Sequence, residues 1–349
     1  MSQETNKRSS RIFHVLAPLA GVVLFSYLIY KAGARELWEG VVHFGFGIVL
    51  FLALEGVGDV MRAIATRYCF SPDSPKVPLV SLLYMRCTGA AYNFITPTSG
   101  FGGEVVKVML LEKHVSRSEA ARVVIIDKFT YGIVQFGMAF LGSAVVLFWT
   151  PLDLSLKLTF WAASVAMWGG FIGFLVVQRQ GWFSGFLGRA VGVVAGRQAR
   201  EWVETNLAEL DGRLRSHYEK QGKDLILAMF WHALAFMMGI VQAGLFLWFV
   251  FGVNDWTKAS AIWFFGSWFD CIIFMVPAGL GTQELTRALI FERTIGFTFS
   301  EGVAFSMILR INQIFWTAVG LGTYALEMSL SRRRLGGALV KAESDTVVR

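Results

Sequence analysis

Glu104 and Lys107 stand three residues apart, and Glu284 and Arg287 repeat that spacing further along the chain. On a helix these positions share a face, so each carboxylate lies beside a base. Each pair follows a proline–glycine break: "NFITPTSGFGGEVVKVMLLEK" spans residues 93–113, and "FMVPAGLGTQELTRALIFER" spans residues 274–293. Pro97 and Pro277 have no N–H and stop a helix. Gly100, Gly102 and Gly103, like Gly279 and Gly281, let the backbone turn and approach a ligand closely. A helix that restarts after such a break offers free N–H groups and the positive end of its dipole, which is the chemistry of an anion site. Lys107 and Arg287 would add positive charge there. In the plainer reading Glu104 and Glu284 cap their helices and pair with those bases. The sequence leaves both readings open.

Elements that hold such breaks must suit their solvent. Of 349 residues, 55% are hydrophobic and only 16% charged, with a mean hydropathy of +0.54. An ordinary soluble domain carries roughly 25% charged residues. The bilayer is the natural solvent for this chain. The net charge of +7 and pI of 9.4 come from bases in short loops between apolar runs. That placement reports orientation and contact with an anionic lipid surface on the cytoplasmic side, not nucleic acid. Cys69, Cys87 and Cys271 are scattered and form no CxxC, so they read as buried small hydrophobes. The five histidines form no metal-ligand pattern. The glycines of "GFGG" follow no strand, and the chain has no GK[ST]. Dinucleotide binding and P-loop hydrolysis are therefore excluded, and no cofactor or metal is expected.

Six apolar runs reach the roughly 20 residues of a membrane-spanning helix. They are residues 12–30, 41–65, 123–148, 158–177, 225–250 and 303–328. Two more, 79–96 and 259–276, run into the breaks and are followed only by short apolar helices at 104–111 and 284–291. These return arms are too short to span, so each pair is predicted to form a re-entrant hairpin. That topology keeps both termini in the cytoplasm and the basic loops inside. The expected fold is an all-α polytopic membrane protein with about six full spans and two re-entrant hairpins. Residues 1–11 and 331–349 are read as cytoplasmic tails. Residues 179–224 are read as a cytoplasmic amphipathic linker between repeat 1 (41–150) and repeat 2 (225–330).

The halves align: Pro97 and Pro277, Glu104 and Glu284, and Lys107 and Arg287 all differ by 180. "SEAARVVIIDK" (118–128) matches "SEGVAFSMILR" (300–310), placing Lys128 opposite Arg310. With the hairpins entering from opposite sides, the copies form an inverted repeat, as in many transporters. Further charges lie at membrane depth. Glu55, Asp59 and Arg62 share one face of the second span, Arg86 and Asp270 sit in the entering arms, and Asp127 and Lys128 lie near the start of the third span. Such residues mark either a substrate path or a self-neutralising network. His232, alone in an apolar span, reads as a packing histidine.

The motifs "PTSGFGGEVVK", "IIDK", "VPAGLGTQE" and "ILRINQ" together resemble the flippase-like family, the transmembrane domain of lysylphosphatidylglycerol synthase and its stand-alone relatives. The resemblance runs from about residue 12 to 330. It implies a multi-pass protein of the bacterial or archaeal plasma membrane that moves lipid between leaflets. It also implies a site lined by Pro97, Gly100, Gly103, Glu104, Pro277, Gly279, Gly281 and Glu284. Bifunctional relatives carry an aminoacyl-transferase domain after the spans; here the chain ends at Arg349, so a non-enzymatic role is expected. The sequence leaves two other roles open: a non-transporting membrane partner of a lipid-biosynthesis enzyme (hopanoid or glycolipid) that docks through residues 179–224, and an intramembrane lipid-modifying enzyme using Glu104, Glu284, Arg287 and Arg310.

Overall fold

The computed structural model describes residues 23–96, 102–150, 152–179, 222–272 and 279–347, apart from Phe25 and some side chains within these ranges. Pro97, Gly100, Pro277, the tail 1–11 and nearly all of the expected linker lie outside them. So does most of the first expected span, whose described residues, 23–24 and 26–30, are helical. The helices are α1 (Ala34–Phe44), α2 (Gly47–Arg67), α3 (Leu79–Ile95), α4 (Gly102–Leu111), α5 (Arg117–Trp149), α6 (Leu154–Arg179), α7 (Gly222–Phe251), α8 (Trp256–Ile272), α9 (Thr282–Ile290) and α10 (Phe299–Val347). A π-helical turn, Phe291–Ile295, continues α9.

Among the described residues, three helices are long and apolar enough to cross a membrane, α5, α7 and α10, or four if a bent pair counts as one span. That pair departs from the expected single span at 41–65. α1 meets α2 at 74° across Gly45 and Phe46. Gly45 takes φ +46°, open to glycine without strain, and the Phe44 ring lies where a Cβ on Gly47 would come within 2.8 Å. The fourth expected span falls within α6, helical throughout. At the other end, α10 runs for 49 residues. At 1.5 Å per residue that is about 74 Å, well beyond the roughly 30 Å of hydrocarbon. The stretch read as a C-terminal tail is thus helical as far as Val347.

Helix starts follow local chemistry. Ser116 caps α5 by accepting from the Glu119 N–H (3.3 Å). Thr298 and Glu301 form a reciprocal capping box at α10, with Glu301 N–H to Thr298 Oγ1 at 3.3 Å and Thr298 N–H to Glu301 Oε2 at 2.6 Å. Asp255 receives the N–H groups of Thr257 and Lys258 ahead of α8.

Packing is reciprocal between the halves. α3 lies on α10 while α8 lies on α5, and α2 packs along α7. Exchanging α2 with α7, α3 with α8 and α5 with α10 leaves these pairings unchanged. Both arms α3 and α8 are 17 residues long. Their return helices fold back on them, α4 on α3 and α9 on α8.

Two apolar cores occupy opposite ends of the bundle. One gathers Phe44, Phe51, Phe246, Phe291 and Phe305 with residues of the second hairpin, such as Ile262 and Phe265. The other gathers Ala63, Leu82, Met85, Leu110, Leu111, Val123 and Leu225, including both arms of the first hairpin. Burying a large apolar side chain contributes about 1.5–3 kcal/mol where water is the alternative; in lipid, close packing supplies most of the gain. Between the cores lies a polar layer, because α2, α5 and α7 each switch mid-helix to Glu55 and Asp59, Asp127, and His232. The outer face stays apolar: Leu141, Phe148, Ile226, Phe230 and Ile314 are all more than half exposed.

Candidate functional site

Each hairpin closes on its own charge cluster. In the first, the Lys107 Nζ donates to Glu104 Oε2 (2.9 Å) and the Lys128 Nζ to Glu104 Oε1 (3.1 Å). Asn93 on the entering arm accepts the Gly103 N–H at 2.7 Å and reaches Glu104 Oε1 at 3.4 Å. The arms nearly touch there, since a Cβ on Gly103 would land on the Gly89 carbonyl oxygen. Gly102 opens α4 directly before this crossing.

In the second hairpin, Arg310 donates from Nε to Glu284 Oε1 (2.6 Å), from Nη2 to the Gly279 carbonyl (3.1 Å) and from Nη1 to Gln313 Oε1 (2.9 Å). Arg287 grips Asp270 instead, with Nη2 to Oδ2 at 2.8 Å. Glu284 is fully buried, and its Oε2 has no hydrogen-bond partner among the described residues. Gly279 and Gly281 both take positive φ, 58° and 77°, and carry the turn into α9. Glu284 thus pairs with Arg310 and makes no capping bond to the α9 start, and Arg287 pairs with Asp270; the pairing of the plainer reading is met at Glu104 and Lys107 and not at Glu284 and Arg287.

The remaining charges also meet partners. Arg62 Nη1 donates to Glu55 Oε1 (2.8 Å) and Asp59 Oδ1 (3.1 Å), and Arg86 Nε donates to Asp59 Oδ1 (3.0 Å). Asp127 accepts from Thr66 Oγ1 (2.8 Å) and lies 3.3 Å from His232 Nε2. His232 is therefore a buried packing group beside a carboxylate, with Tyr131 edge-on to its ring.

Two cavities penetrate this layer. The larger, about 230 Å³, is lined by Glu55 and Arg62 of α2, Tyr131 and Gln135 of α5, Gln242 of α7, Trp263 and Asp270 of α8, Gln283 and Arg287 of α9, and Asn312 and Gln313 of α10. The smaller, about 170 Å³, is lined by Asp59, Arg86, Cys87 and Phe94 on the side of the first hairpin. Glu55, Asn312 and Gln313 line both. Gln242 braces this wall, donating to the Phe51 carbonyl (3.0 Å) and to Glu55 Oε2 (3.4 Å). Of the residues singled out in the sequence, Glu55, Asp59, Arg62, Arg86, Asp270 and Arg287 reach a cavity. Glu104, Lys107, Asp127, Lys128, Glu284 and Arg310 line neither and form the clusters behind them. Sequence reasoning missed the carboxamides Asn93, Gln135, Gln242, Gln283, Asn312 and Gln313. Their signal was present: uncharged polar residues set within apolar helices.

A helical bundle with an apolar outer face, a charged and hydrogen-bonded middle layer and paired cavities is the architecture of a multi-pass membrane protein with a polar interior site. The model of the lysylphosphatidylglycerol synthase TM region matches residues 14–322, and the chain belongs to that family. No curated protein and no solved structure shows a significant match to the chain.

Proposed function

We propose that this protein is a lipid translocase: it passes a polar head-group between leaflets while the acyl chains stay in the bilayer, and leaves the lipid chemically unchanged. One observation carries the reading. Two cavities, the larger mainly polar and the smaller mainly apolar but reached by Asp59 and Arg86, share the wall of Glu55, Asn312 and Gln313, and are each faced by the entering arm of a different hairpin. Such a wall, shifted by small helix movements, would open one cavity as it closes the other. The reciprocal packing of the halves, and the assignment of the hairpins to opposite apolar cores, support an inverted repeat that exposes each cavity to its own leaflet. A bacterial plasma membrane with both termini cytoplasmic is the setting this topology suits.

The test is reconstitution into liposomes bearing head-group-labelled phosphatidylglycerol, phosphatidylethanolamine or glucosyl-diacylglycerol, with an impermeant quencher outside. Inner-leaflet label should become quenchable faster than in protein-free liposomes for at least one lipid. Rates equal to protein-free liposomes for all three would overturn the reading.

A further inference from the structure

The larger cavity differs from an ion site in what lines it. Five of its fourteen lining residues are carboxamides: Gln135, Gln242, Gln283, Asn312 and Gln313. Only two other Asn or Gln side chains, Asn93 and Asn254, are described in the whole molecule. Carboxamides at membrane depth are costly without partners, so this convergence has a chemical reason. The ionic lining groups are already spent on each other: Arg62 holds Glu55 at 2.8 Å and Arg287 holds Asp270 at 2.8 Å. Two acids and two bases leave the lining formally neutral. Free hydrogen-bonding capacity remains nevertheless. Asn312 is 6% exposed and its Oδ1 has no partner among the described residues; the buried Trp263 Nε1 is likewise unpartnered. One is an acceptor and the other a donor; both belong to residues that line the cavity, with the atoms themselves set just behind its surface.

We infer that the cavity receives an uncharged, polyhydroxylated head-group, a sugar or polyol carried on a lipid. A hydroxyl both donates and accepts, and a carboxamide offers both functions in one planar group, so a ring of carboxamides matches a ring of hydroxyls. A phosphate would want unengaged bases, and a cationic aminoacyl group unengaged carboxylates; the lining gives neither. The volume of about 230 Å³ falls below the roughly 300–1,000 Å³ of sites that enclose a drug-sized ligand, so it takes a head-group and not the chains. This deepens the translocase reading and rests on it for the lipid to be cargo, but it is a statement about binding and can be tested apart from transport.

The experiment is native mass spectrometry of the purified full chain in detergent, with equimolar glucosyl-diacylglycerol, phosphatidylinositol, lysylphosphatidylglycerol and phosphatidylethanolamine. Glucosyl-diacylglycerol should be retained about ten-fold over phosphatidylethanolamine and above the two charged lipids, because a site built to hydrogen-bond hydroxyls discriminates against ligands lacking them. Asn312→Leu and Gln135→Leu should each erase that preference. Gln135 is only part-buried, so its variant decides the matter if Asn312→Leu does not fold. Preference for either charged lipid, equal retention of all four, or a glucosyl preference that survives Gln135→Leu would overturn the inference. Leaflet exchange of the same lipids is measured in parallel. Exchange without glucosyl preference removes the inference and leaves the translocase reading. Preference without exchange removes the translocase reading and leaves the binding assignment.

Discussion

The two hairpins are built on the same template but wired differently. Lys107 and Arg287 hold matching positions on α4 and α9, and each faces a glycine on its entering arm, Gly89 and Gly266, which differ by 177 as do Asn93 and Asp270. The last pair decides the wiring. Asn93 carries no charge, so Lys107 turns to Glu104 on its own helix and Lys128 joins it. Asp270 is a carboxylate and takes Arg287, leaving Glu284 to Arg310 with one oxygen unengaged. One atom's difference, amide nitrogen against carboxylate oxygen, makes the first hairpin a closed knot behind its cavity. In the second it turns a base outward onto a cavity wall. Under the repeat reading proposed above, a changed local charge would make one copy scaffold and the other lining.

The comparison can be broken or sharpened by substitution. Gly103→Ala should have the largest effect, because the new methyl meets backbone rather than a movable side chain. Overpacking costs typically 1–3 kcal/mol, and a methyl driven onto a backbone carbonyl should cost more than about 5 kcal/mol, beyond that range. Loss of the monodisperse size-exclusion peak is the expected readout, and a wild-type melting profile would contradict the close crossing. Next, Glu104→Gln leaves Lys107 buried and uncompensated with Lys128 beside it, a loss of about 3–5 kcal/mol visible as a lowered thermal midpoint in detergent. Asp270→Asn makes the second hairpin resemble the first. Arg287 keeps the Gln283 carbonyl at 3.2 Å, so the cost should be smaller, about 2 kcal/mol. If the wiring argument holds, crosslinking between positions 287 and 284 should rise in this variant. The smallest effect belongs to Gly266→Ala. Its added Cβ meets the Arg287 guanidinium at an ordinary 3.9 Å, whereas the same change at Gly89 meets the Lys107 stem at 2.6 Å. Gly266→Ala should be neutral or stabilise by up to about 1 kcal/mol through helix propensity. Gly89→Ala should destabilise, and equal melting shifts for the two would erase the distinction.

Much of this architecture is legible in the amino-acid sequence alone. Proline, glycine, glutamate and base recur at one spacing, and the apolar runs place the helices because lipid demands continuous helical hydrogen bonding. The charges of the middle layer are legible too, since ionisable residues in such runs stand out. Which base takes which carboxylate is not, because the pairing is fixed by tertiary contact between arms and hinges on Asn93, an uncharged residue that no sequence pattern marks. The carboxamides escape for another reason: they are visible as uncharged polar residues, but Gln242 and Asn312 sit in apolar helices whose average hydropathy they barely lower. The bend at Gly45 is hidden inside a run long enough to be one span. Its glycines at 45 and 47 flank Phe46, and the turn depends on where the Phe44 ring packs.

The middle layer holds six carboxylates, Glu55, Asp59, Glu104, Asp127, Asp270 and Glu284, and six bases, Arg62, Arg86, Lys107, Lys128, Arg287 and Arg310. Each of these bases touches a carboxylate. With His232 neutral their formal sum is zero. A transmembrane voltage does about 2.3 kcal/mol of work per 100 mV on each net charge carried across the field. In the translocase reading proposed above, a rocking of this bundle that carried these paired charges together would displace almost no net charge, so its conformational balance should follow what occupies the cavities more than the membrane voltage.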